Sequence, residues 1–184
     1  MKRRSFLKSA AAALPAAGLK SFVLGQVAAS PSPDAMHPVD AGQDRFKETH
    51  SLGYSSILFK VVPRETNGGL FIVEHTHLVT GGPPLHLHLH QEEWFYVMEG
   101  EVLFQVGDRR TRLHAGDSIL GPRGVPHTFS LVGEKQGRML IAFTPAGKME
   151  EFFREAAVPN GPKLDADMFR RHEMELVGPP LVVS

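Results

Sequence analysis

The chain has 184 residues, of which 42% are hydrophobic and 22% charged, the balance of an ordinary soluble globular domain. It contains no cysteine, so disulfides and thiolate metal sites are excluded, and any bound metal must be held by histidine and carboxylate. Lysine and arginine together number 20, as do aspartate and glutamate, which gives a formal net charge of zero.

Residues 1–29 have the composition of an export signal: a basic start, a modest apolar stretch, and small residues at Ala28 and Ala29. The apolar stretch is interrupted by Pro15 and Lys20, so it is too short to span a bilayer. The run RRSFLK that begins at Arg3 resembles the twin-arginine export motif of bacteria. This resemblance implies export to the periplasm and no membrane association once the signal is removed.

Removal of this segment changes the charge balance. Residues 1–29 hold five basic residues and no acidic ones, so the remainder carries 15 basic and 20 acidic residues, a net charge of −5. A mildly acidic chain without a basic patch argues against a nucleic-acid partner.

Residues 30–48 are rich in Pro, Asp and Ser without an apolar period, and are predicted to form an exposed linker or arm. Short apolar, β-branched segments follow until about residue 144, separated by Gly and Pro turns. EWFYVMEGEVLFQVGDRR is predicted to form two strands, and TRLHAGDSILGPRGVPHTFSLVG two more. The pattern predicts a single all-β sandwich or barrel over residues 49–147.

Residues 148–184 differ from the barrel. GKMEEFFREAA places Met149, Phe152, Phe153 and Ala156 at helical spacing, which predicts a helix with one face packed on the barrel. DADMFRRHEMEL indicates a second short helix, and LVGPPLVVS an extended tail.

The stretch PLHLHLHQEEW places His86, His88 and His90 at alternate positions, with leucines between them. In a strand these three side chains share one face. Glu93 follows His88 by five residues, and a second stretch, GDSILGPRGVPH, ends at His127. Three imidazoles and a nearby carboxylate are hard to explain by packing alone, so this pattern indicates a metal site.

These two stretches resemble the paired motifs of the cupin superfamily, Gly-x5-His-x-His-x4-Glu-x6-Gly and Gly-x5-Pro-x-Gly-x2-His-x3-Asn. Two positions depart from the motifs: Thr80 replaces the leading Gly, and Leu131 replaces the final Asn. The resemblance implies a small jelly-roll barrel with a short C-terminal helical extension. It also implies one divalent transition metal (Mn, Fe, Ni, Cu, Co or Zn) and a homodimer. The metal ligands it implies are His86, His88, Glu93 and His127.

Other ligand sets are possible from the spacing. His88 and His90 also form a His-x-His pair, but only two residues then separate them from Glu93, so His86 and His88 are preferred. Glu92 could replace Glu93. His75 and His77 share a predicted strand face and could line the pocket or form a second site, although no carboxylate lies in register with them.

Further candidates surround the predicted ligands. His90 is placed at the rim beside the metal ligands, and Phe95 and Phe129, each two residues past a ligand, face the same way as that ligand. Phe104 and Gln105 are additional pocket candidates on the strand between the motifs.

The ending FTPAGKMEEFFRE resembles single-domain quercetin dioxygenase-like cupins. That resemblance implies a metal-dependent oxygenase for a small aromatic or enolic substrate, in which Glu93 also takes the hydroxyl proton of the substrate. One alternative is a barrel that binds metal and a small ligand without catalysis. A metal-dependent isomerase or decarboxylase is less favoured, because few Lys, Arg or Gln residues are predicted to lie in the pocket.

Overall fold

The structure is a computed structural model that describes residues 37–133, 135–159 and 163–183. The predicted signal at residues 1–29 and the first part of the predicted arm lie outside the described residues. No helix within the described ranges is both long enough and apolar enough to cross a membrane.

The described chain is mostly β-structure. The strands are β1 His50–Ser51, β2 Ser56–Val61, β3 Phe71–Leu78, β4 Pro84–His88, β5 Glu92–Glu99, β6 Glu101–Val106, β7 Arg109–His114, β8 Ser118–Gly121, β9 His127–Leu131, β10 Gly137–Thr144 and β11 Met174–Pro180. The helices are a 3₁₀ turn at Pro63–Glu65, α1 Met149–Ala156 and α2 Ala166–Arg171. The predicted all-β class is confirmed.

Two antiparallel sheets face each other as a jelly roll. One has the strand order β1-β2-β3-β10-β5-β8 and the other β11-β4-β9-β6-β7. Alternate residues of the strands point between the sheets, and phenylalanine rings fill much of that space. The largest fully buried rings belong to Phe59, Phe71, Phe95, Phe104, Phe143 and Phe169.

The segment that contains the second predicted motif has more strands than its sequence pattern predicts. Residues 111–133 contribute to three strands rather than two, because β8 forms a short strand between β7 and β9. β8 has only four residues, mostly exposed or half-buried, so it lacks the alternating pattern that identifies a strand. Its pairing with β5 sets Gly121 opposite Glu93.

The predicted arm is fastened to the barrel at its C-terminal end. The Asp44 carboxylate is buried and accepts hydrogen bonds from the backbone N–H of Phe46 (2.7 Å) and of Phe59 (2.6 Å). Arg45 N–H also donates to the Phe59 carbonyl. The prediction of an exposed arm is therefore wrong around Asp44, where these hydrogen bonds satisfy buried polar groups.

The C-terminal residues form part of the barrel. The predicted helix face is confirmed, because Met149, Phe152 and Phe153 of α1 are buried. α2 begins after Asp165, whose side chain accepts hydrogen bonds from two backbone N–H groups of the first turn, a cap that contributes about 1 kcal/mol.

The predicted extended tail starts within a strand. β11 pairs with β4 along its length, from Met174 opposite His88 to Pro180 opposite Pro84. Prolines disfavour a strand assignment from sequence, but β11 is an edge strand, where a missing N–H can face away from the sheet. β11 thus completes the sheet that carries the histidine-rich strand.

Candidate metal centre and cavity

The histidine-rich strand β4 places two of its imidazoles inside the barrel. His86 and His88 alternate with half-buried leucines, and their exposed fractions are 6% and 0%. β4 ends at His88, so the alternation stops there. The prediction that His86 and His88 share an inward face is confirmed.

Two further strands bring the remaining side chains to the same place. Glu93 lies near the start of β5, and His127 is the first residue of β9, where it pairs with His86 of β4. The Glu93 Oε2 atom lies 2.9 Å from His88 Nε2 and 2.7 Å from His127 Nε2. One ligand atom from each of the four buried residues lies within 4.8 Å of the others. The four-residue group of His86, His88, Glu93 and His127 is therefore brought together by the fold.

Backbone carbonyls orient two of the three imidazoles. His86 Nδ1 lies 2.8 Å from the Pro84 carbonyl, and His127 Nδ1 lies 2.9 Å from the Val125 carbonyl. A carbonyl only accepts hydrogen bonds, so each Nδ1 carries the hydrogen and each Nε2 is the atom that faces the group. This arrangement holds imidazole ligands in one tautomer.

The charges within the group are strongly coupled. Burial favours the protonated form of Glu93, but hydrogen bonds from His127 and His88 outweigh it and hold the pKa of this carboxyl well below its usual range. Burial also acts to lower the pKa of His127, yet the hydrogen bond and charge of Glu93 outweigh it and raise that pKa. Burial, with the neighbouring His127 and His88, lowers the pKa of His86 to about 3. A buried carboxylate therefore faces three imidazoles, of which His86 is neutral.

The donor set fits a divalent transition metal. Three imidazole nitrogens and one carboxylate oxygen suit Mn, Fe, Co, Ni, Cu or Zn. Three of the four residues, His86, His88 and Glu93, also line a cavity. Protein ligands on one side leave coordination positions for water or a ligand on the other, as in catalytic rather than structural sites.

Glycine at two positions allows this geometry. A Cβ atom at Gly121 would lie 2.9 Å from His127 Nδ1, so a side chain there would displace the ring. A Cβ atom at Gly82 would lie 1.9 Å from the Phe129 carbonyl oxygen. Only glycine therefore allows the residues just before β4 to pass this close to β9. Neither glycine had a role assigned from the sequence, although an isolated Gly at the end of SILG is a signal for a close approach between two backbone segments.

A cavity of about 30 Å³ opens beside the four-residue group, well below the volume of typical small-molecule sites. Its polar lining consists of Tyr54, His75, His86, His88 and Glu93. Its apolar lining consists of Leu52, Pro83, Ile141, Phe143, Met149, Phe152, Phe153, Leu164 and Phe169. The lining among the described residues includes no Lys and no Arg.

The C-terminal segment closes this cavity. Phe152 and Phe153 come from α1 and Phe169 from α2, and the Phe169 ring lies 5.3 Å from the His86 ring, measured between centroids. The centroid of the Phe143 ring, on β10, lies 5.6 Å from the centroid of the His88 ring. Aromatic side chains from distant parts of the chain thus cover the four-residue group.

The other predicted pocket residues do not line the cavity. His90 follows the end of β4, is exposed and does not line the cavity, so its place at the rim stays a prediction. Phe95 and Phe129 do face inward, but they pack on each other and on Phe104 in the barrel core, with Phe95 5.9 Å from His127. Their assignment to the pocket lining is wrong, because the barrel interior beneath the ligands is filled by these rings.

Gln105 is also not a pocket residue. Its side chain donates to the Gly107 carbonyl and accepts from Arg110 at the outer end of β6. The alternative carboxylate, Glu92, accepts two hydrogen bonds from Arg123 on the surface. Among the alternatives that the spacing left open, the structure therefore favours Glu93 over Glu92.

A second acidic group lies outside the barrel. Ligand atoms of Asp44, Glu48 and His50 come as close together as those of the four-residue group. The Asp44 oxygens already accept backbone hydrogen bonds, and Glu48 accepts one from Arg154. These contacts account for the cluster without a metal.

Comparison with known proteins bears on the fold. The family model described as Cupin domain matches residues 74–143, a segment that contains all four residues of the group. Comparison with curated proteins found no match.

Several solved structures are similar. An RmlC-like cupin from Shewanella frigidimarina shares 23% identity with a TM-score of 0.52, over 62% of this chain and 95% of that chain. KdgF from Halomonas sp. shares 18% identity with a TM-score of 0.47, over 53% and 86%. A variant of oxalate decarboxylase from Bacillus subtilis shares 23% identity with a TM-score of 0.46, over 53% and 27%. At these identities the similarity concerns the fold alone, and the barrel has the fold of a cupin-type jelly roll.

Proposed function

We propose that this chain is a metal-dependent oxygenase that acts on a small aromatic or enolic compound. The observation that carries the proposal is the position of three members of the four-residue group, His86, His88 and Glu93, at the wall of a cavity lined mostly by aromatic and aliphatic side chains. His86, His88, Glu93 and His127 would hold the metal, which when bound polarises a substrate oxygen and organises dioxygen.

The lining supports this class of substrate. Phenylalanine rings on α1, α2 and β10 offer flat apolar contacts that suit an aromatic or enolic ring. Sugar acids and simple dicarboxylates need cationic or multiple hydrogen-bonding partners, and the described lining provides no Lys or Arg. This observation favours the oxygenase over a metal-dependent isomerase or decarboxylase.

Glu93 is proposed to have a second role as a proton acceptor. Its carboxylate is held ionised by His127 and His88 and faces the cavity, so a hydroxyl of a bound compound would meet a charged acceptor. Glu93→Gln keeps the size of the side chain and removes the acceptor. We expect turnover to fall about 100-fold or more in protein reloaded with metal.

The control for this variant is Glu92→Gln, which changes an adjacent carboxylate that lies on the surface with Arg123. It should leave metal content and turnover unchanged. Full activity in metal-loaded Glu93→Gln protein would contradict the proposed role.

Metal content is the first measurement. The full chain, purified after export, should contain about one transition metal per chain by mass spectrometry, as four ligands define one site. Oxygen uptake would then be measured with phenolic and enolic compounds. Metal without oxygen uptake on such compounds would contradict the oxygenase proposal, and absence of metal would contradict the ligand set.

A metal-binding and ligand-binding module without catalysis is the second candidate. The cap formed by α1 and α2 favours it, because Phe152 and Phe169 close over the cavity and would retain a bound ligand. Ligand binding without oxygen uptake would support this module.

We also propose that the chain acts in the periplasm after twin-arginine export, and that it forms a homodimer. The dimer has a candidate surface at Trp94 and Leu120, which are paired on β5 and β8 and are 38% and 47% exposed. Sedimentation of wild-type protein beside a Trp94→Ser variant tests the dimer, and fractionation of the producing bacterium tests the location.

A further inference from the structure

The cavity beside the four-residue group is too small for the compounds that the site is proposed to bind. Its volume of about 30 Å³ holds about two water molecules. Sites for small organic molecules have volumes of roughly 300 Å³ or more. An aromatic compound can therefore reach the four-residue group only after part of the cavity wall has moved.

The walls of the cavity differ in how they are held. Its polar side chains lie mostly on β3, β4 and β5, and each of these strands pairs with a neighbour on both sides. The opposite wall consists of Phe152 and Phe153 from α1 and Phe169 from α2. Side-chain packing places these rings over the cavity, so the helical wall can move while the strand pairing of both sheets stays intact.

The two helices are fastened to each other. The Phe152 ring lies 5.6 Å from the Phe169 ring and 5.5 Å from the His172 ring, measured between centroids. Glu155 of α1 accepts a hydrogen bond from Arg171 of α2, and its other carboxylate oxygen lies 3.3 Å from His172 Nε2. These contacts make α1 and α2 one unit that can move together.

A left-handed backbone residue lies at each end of this unit. Gly147 precedes α1 with a φ of 52°, and Glu173 follows α2 with a φ of 62°. A Cβ atom at Gly147 would lie 1.9 Å from Gln91 Nε2, so glycine is required there. Domain and loop motions are absorbed by a few residues at the ends of elements, and these two positions have the place of such hinges.

One ion pair joins the outer side of α1 to the residues before β1. Arg154 donates to Glu48 at 2.7 Å, and its guanidinium carbon lies 4.7 Å from the centroid of the Phe46 ring and 5.0 Å from that of the Phe59 ring. Arg154 and Glu48 are both partly exposed, with 36% and 47% of their side chains accessible. Exposed pairs of this kind are weak, so the contact can break and form again.

We propose that the cap formed by α1 and α2 is a lid that turns on Gly147 and Glu173 to admit a compound to the cavity, and that the Arg154–Glu48 ion pair holds it closed. The inference rests on the proposed function, because it concerns access to that site. Opening exposes phenylalanine rings to water, so the open form is a minor one. A bound aromatic compound replaces the lost apolar contacts and favours it.

The test measures opening without metal, oxygen or substrate. The full chain, free of metal, is treated with diethyl pyrocarbonate, which acylates neutral imidazole and is much larger than the closed cavity. His75 lines the cavity and its Nε2 has no partner among the described residues, whereas His77 on the same strand is exposed. Mass spectrometry with fragmentation separates the two. His75 should react about 10- to 1,000-fold more slowly than His77, in proportion to a minor open state.

Cross-links then identify the part that moves. The chain has no cysteine, so introduced thiols are unique. Glu48→Cys with Arg154→Cys, joined by a short bis-maleimide, ties the lid to the barrel and should slow acylation of His75 about tenfold or more. Glu155→Cys with Arg171→Cys, joined in the same way, is the matched control inside the lid. It should leave the rate within about twofold of wild type.

Two single variants test the ion pair. Arg154→Ala removes the contact with Glu48 and the aromatic rings, so His75 should react about fivefold faster. Arg170→Ala, which removes a pair with Asp167 within α2, is the control and should not change the rate. Equal rates in Arg154→Ala and wild type would contradict the role of the ion pair.

The remaining outcomes separate the lid from global unfolding and from the proposed function. A rate for His75 that rises about tenfold over the first 1 M urea, or that the Glu48–Arg154 cross-link leaves unchanged, would overturn the lid. Oxygen uptake by protein with such a rate would leave the oxygenase in place. Acylation that the cross-link slows, in a chain that takes up neither metal nor oxygen, would uphold the lid and overturn the proposed function.

Discussion

Two His-x-His pairs of this chain, one on β4 and one on β3, have the same spacing and different environments. On β4, His86 and His88 both point into the barrel. On β3, His75 is buried, but His77 is exposed and has a φ of 52°, in the left-handed region. The β3–β10 register shifts at this point, between Gly137 and Met139. A bulge adds a residue to one strand and ends the simple alternation, so spacing predicts a shared face only where the strand is regular.

The surroundings of the two buried imidazoles also differ. His88 meets the carboxylate of Glu93 and a third histidine, His127, whereas His75 meets one hydroxyl and aromatic rings. A carboxylate among several imidazoles offers the donor set of a metal site, whereas a single imidazole beside a hydroxyl offers only hydrogen bonds. Neighbours from distant strands therefore decide which chemistry a buried histidine performs.

The largest effect is expected when one candidate metal ligand is removed from β4. His86→Ala should lower metal affinity about 100-fold or more, because loss even of outer partners of metal ligands typically costs 10- to 100-fold. His77→Ala, the exposed member of the other pair, should leave metal affinity unchanged. Equal losses in the two variants, measured by competition with a chelator, would show that β4 and β3 do not differ as described.

The pH dependence of stability distinguishes the buried imidazole of β3 from its exposed neighbour. Burial lowers the pKa of His75 to about 4, so below pH 6.5 the unfolded chain binds a proton there that the folded chain does not. The unfolded state is then favoured as the pH falls. His75 should therefore reduce the unfolding free energy of metal-free protein by about 2 kcal/mol between pH 7 and pH 5.

Denaturant titrations at these two pH values, in wild-type and His75→Phe protein, measure this contribution. The variant should lose about 2 kcal/mol less than wild type over the same interval. His77→Ala should follow the wild-type curve, because His77 is exposed to solvent when the chain is folded. An identical pH dependence in wild type and His75→Phe would mean that His75 is protonated without cost in the folded protein.

A smaller effect on metal affinity is expected at Gly121, which leaves room for the His127 ring beside β4. Gly121→Ala would place a Cβ atom 2.9 Å from His127 Nδ1, so the ring must shift and metal affinity should fall about tenfold. Leu120→Ala changes the preceding, largely exposed residue of β8 and is the control. Unchanged metal affinity in Gly121→Ala would show that His127 has more room than this geometry allows.

The local pattern of the sequence accounts for much of the candidate site. Alternation of polar and apolar residues predicted β4 and its inward imidazoles, and the apolar spacing of α1 predicted the face that packs on the barrel. The pocket candidates Phe95 and Phe129 were assigned the correct face and the wrong neighbours. Strand alternation gives the direction of a side chain, but not whether that direction leads to a cavity or to the filled core.

Several features required contacts that no local pattern contains. The buried anchor at Asp44 depends on Phe59, fifteen residues away, and the prolines of β11 are compatible with a strand only because β11 lies at a sheet edge. The surroundings of His75 likewise depend on distant residues, since Ser55 and Phe153 enclose its ring while Nε2 has no partner among the described residues.

The β-class, the regular strand β4 and the types of donor near it follow from the sequence alone, since alternation and donor chemistry are properties of neighbouring residues. The tertiary structure alone decided the exposure of His77, the room that Gly121 leaves for His127, and the aromatic cap of Phe152 and Phe169. Each of these depends on the close approach of segments far apart in the chain, and such an approach is set by packing of the whole barrel rather than by local preference.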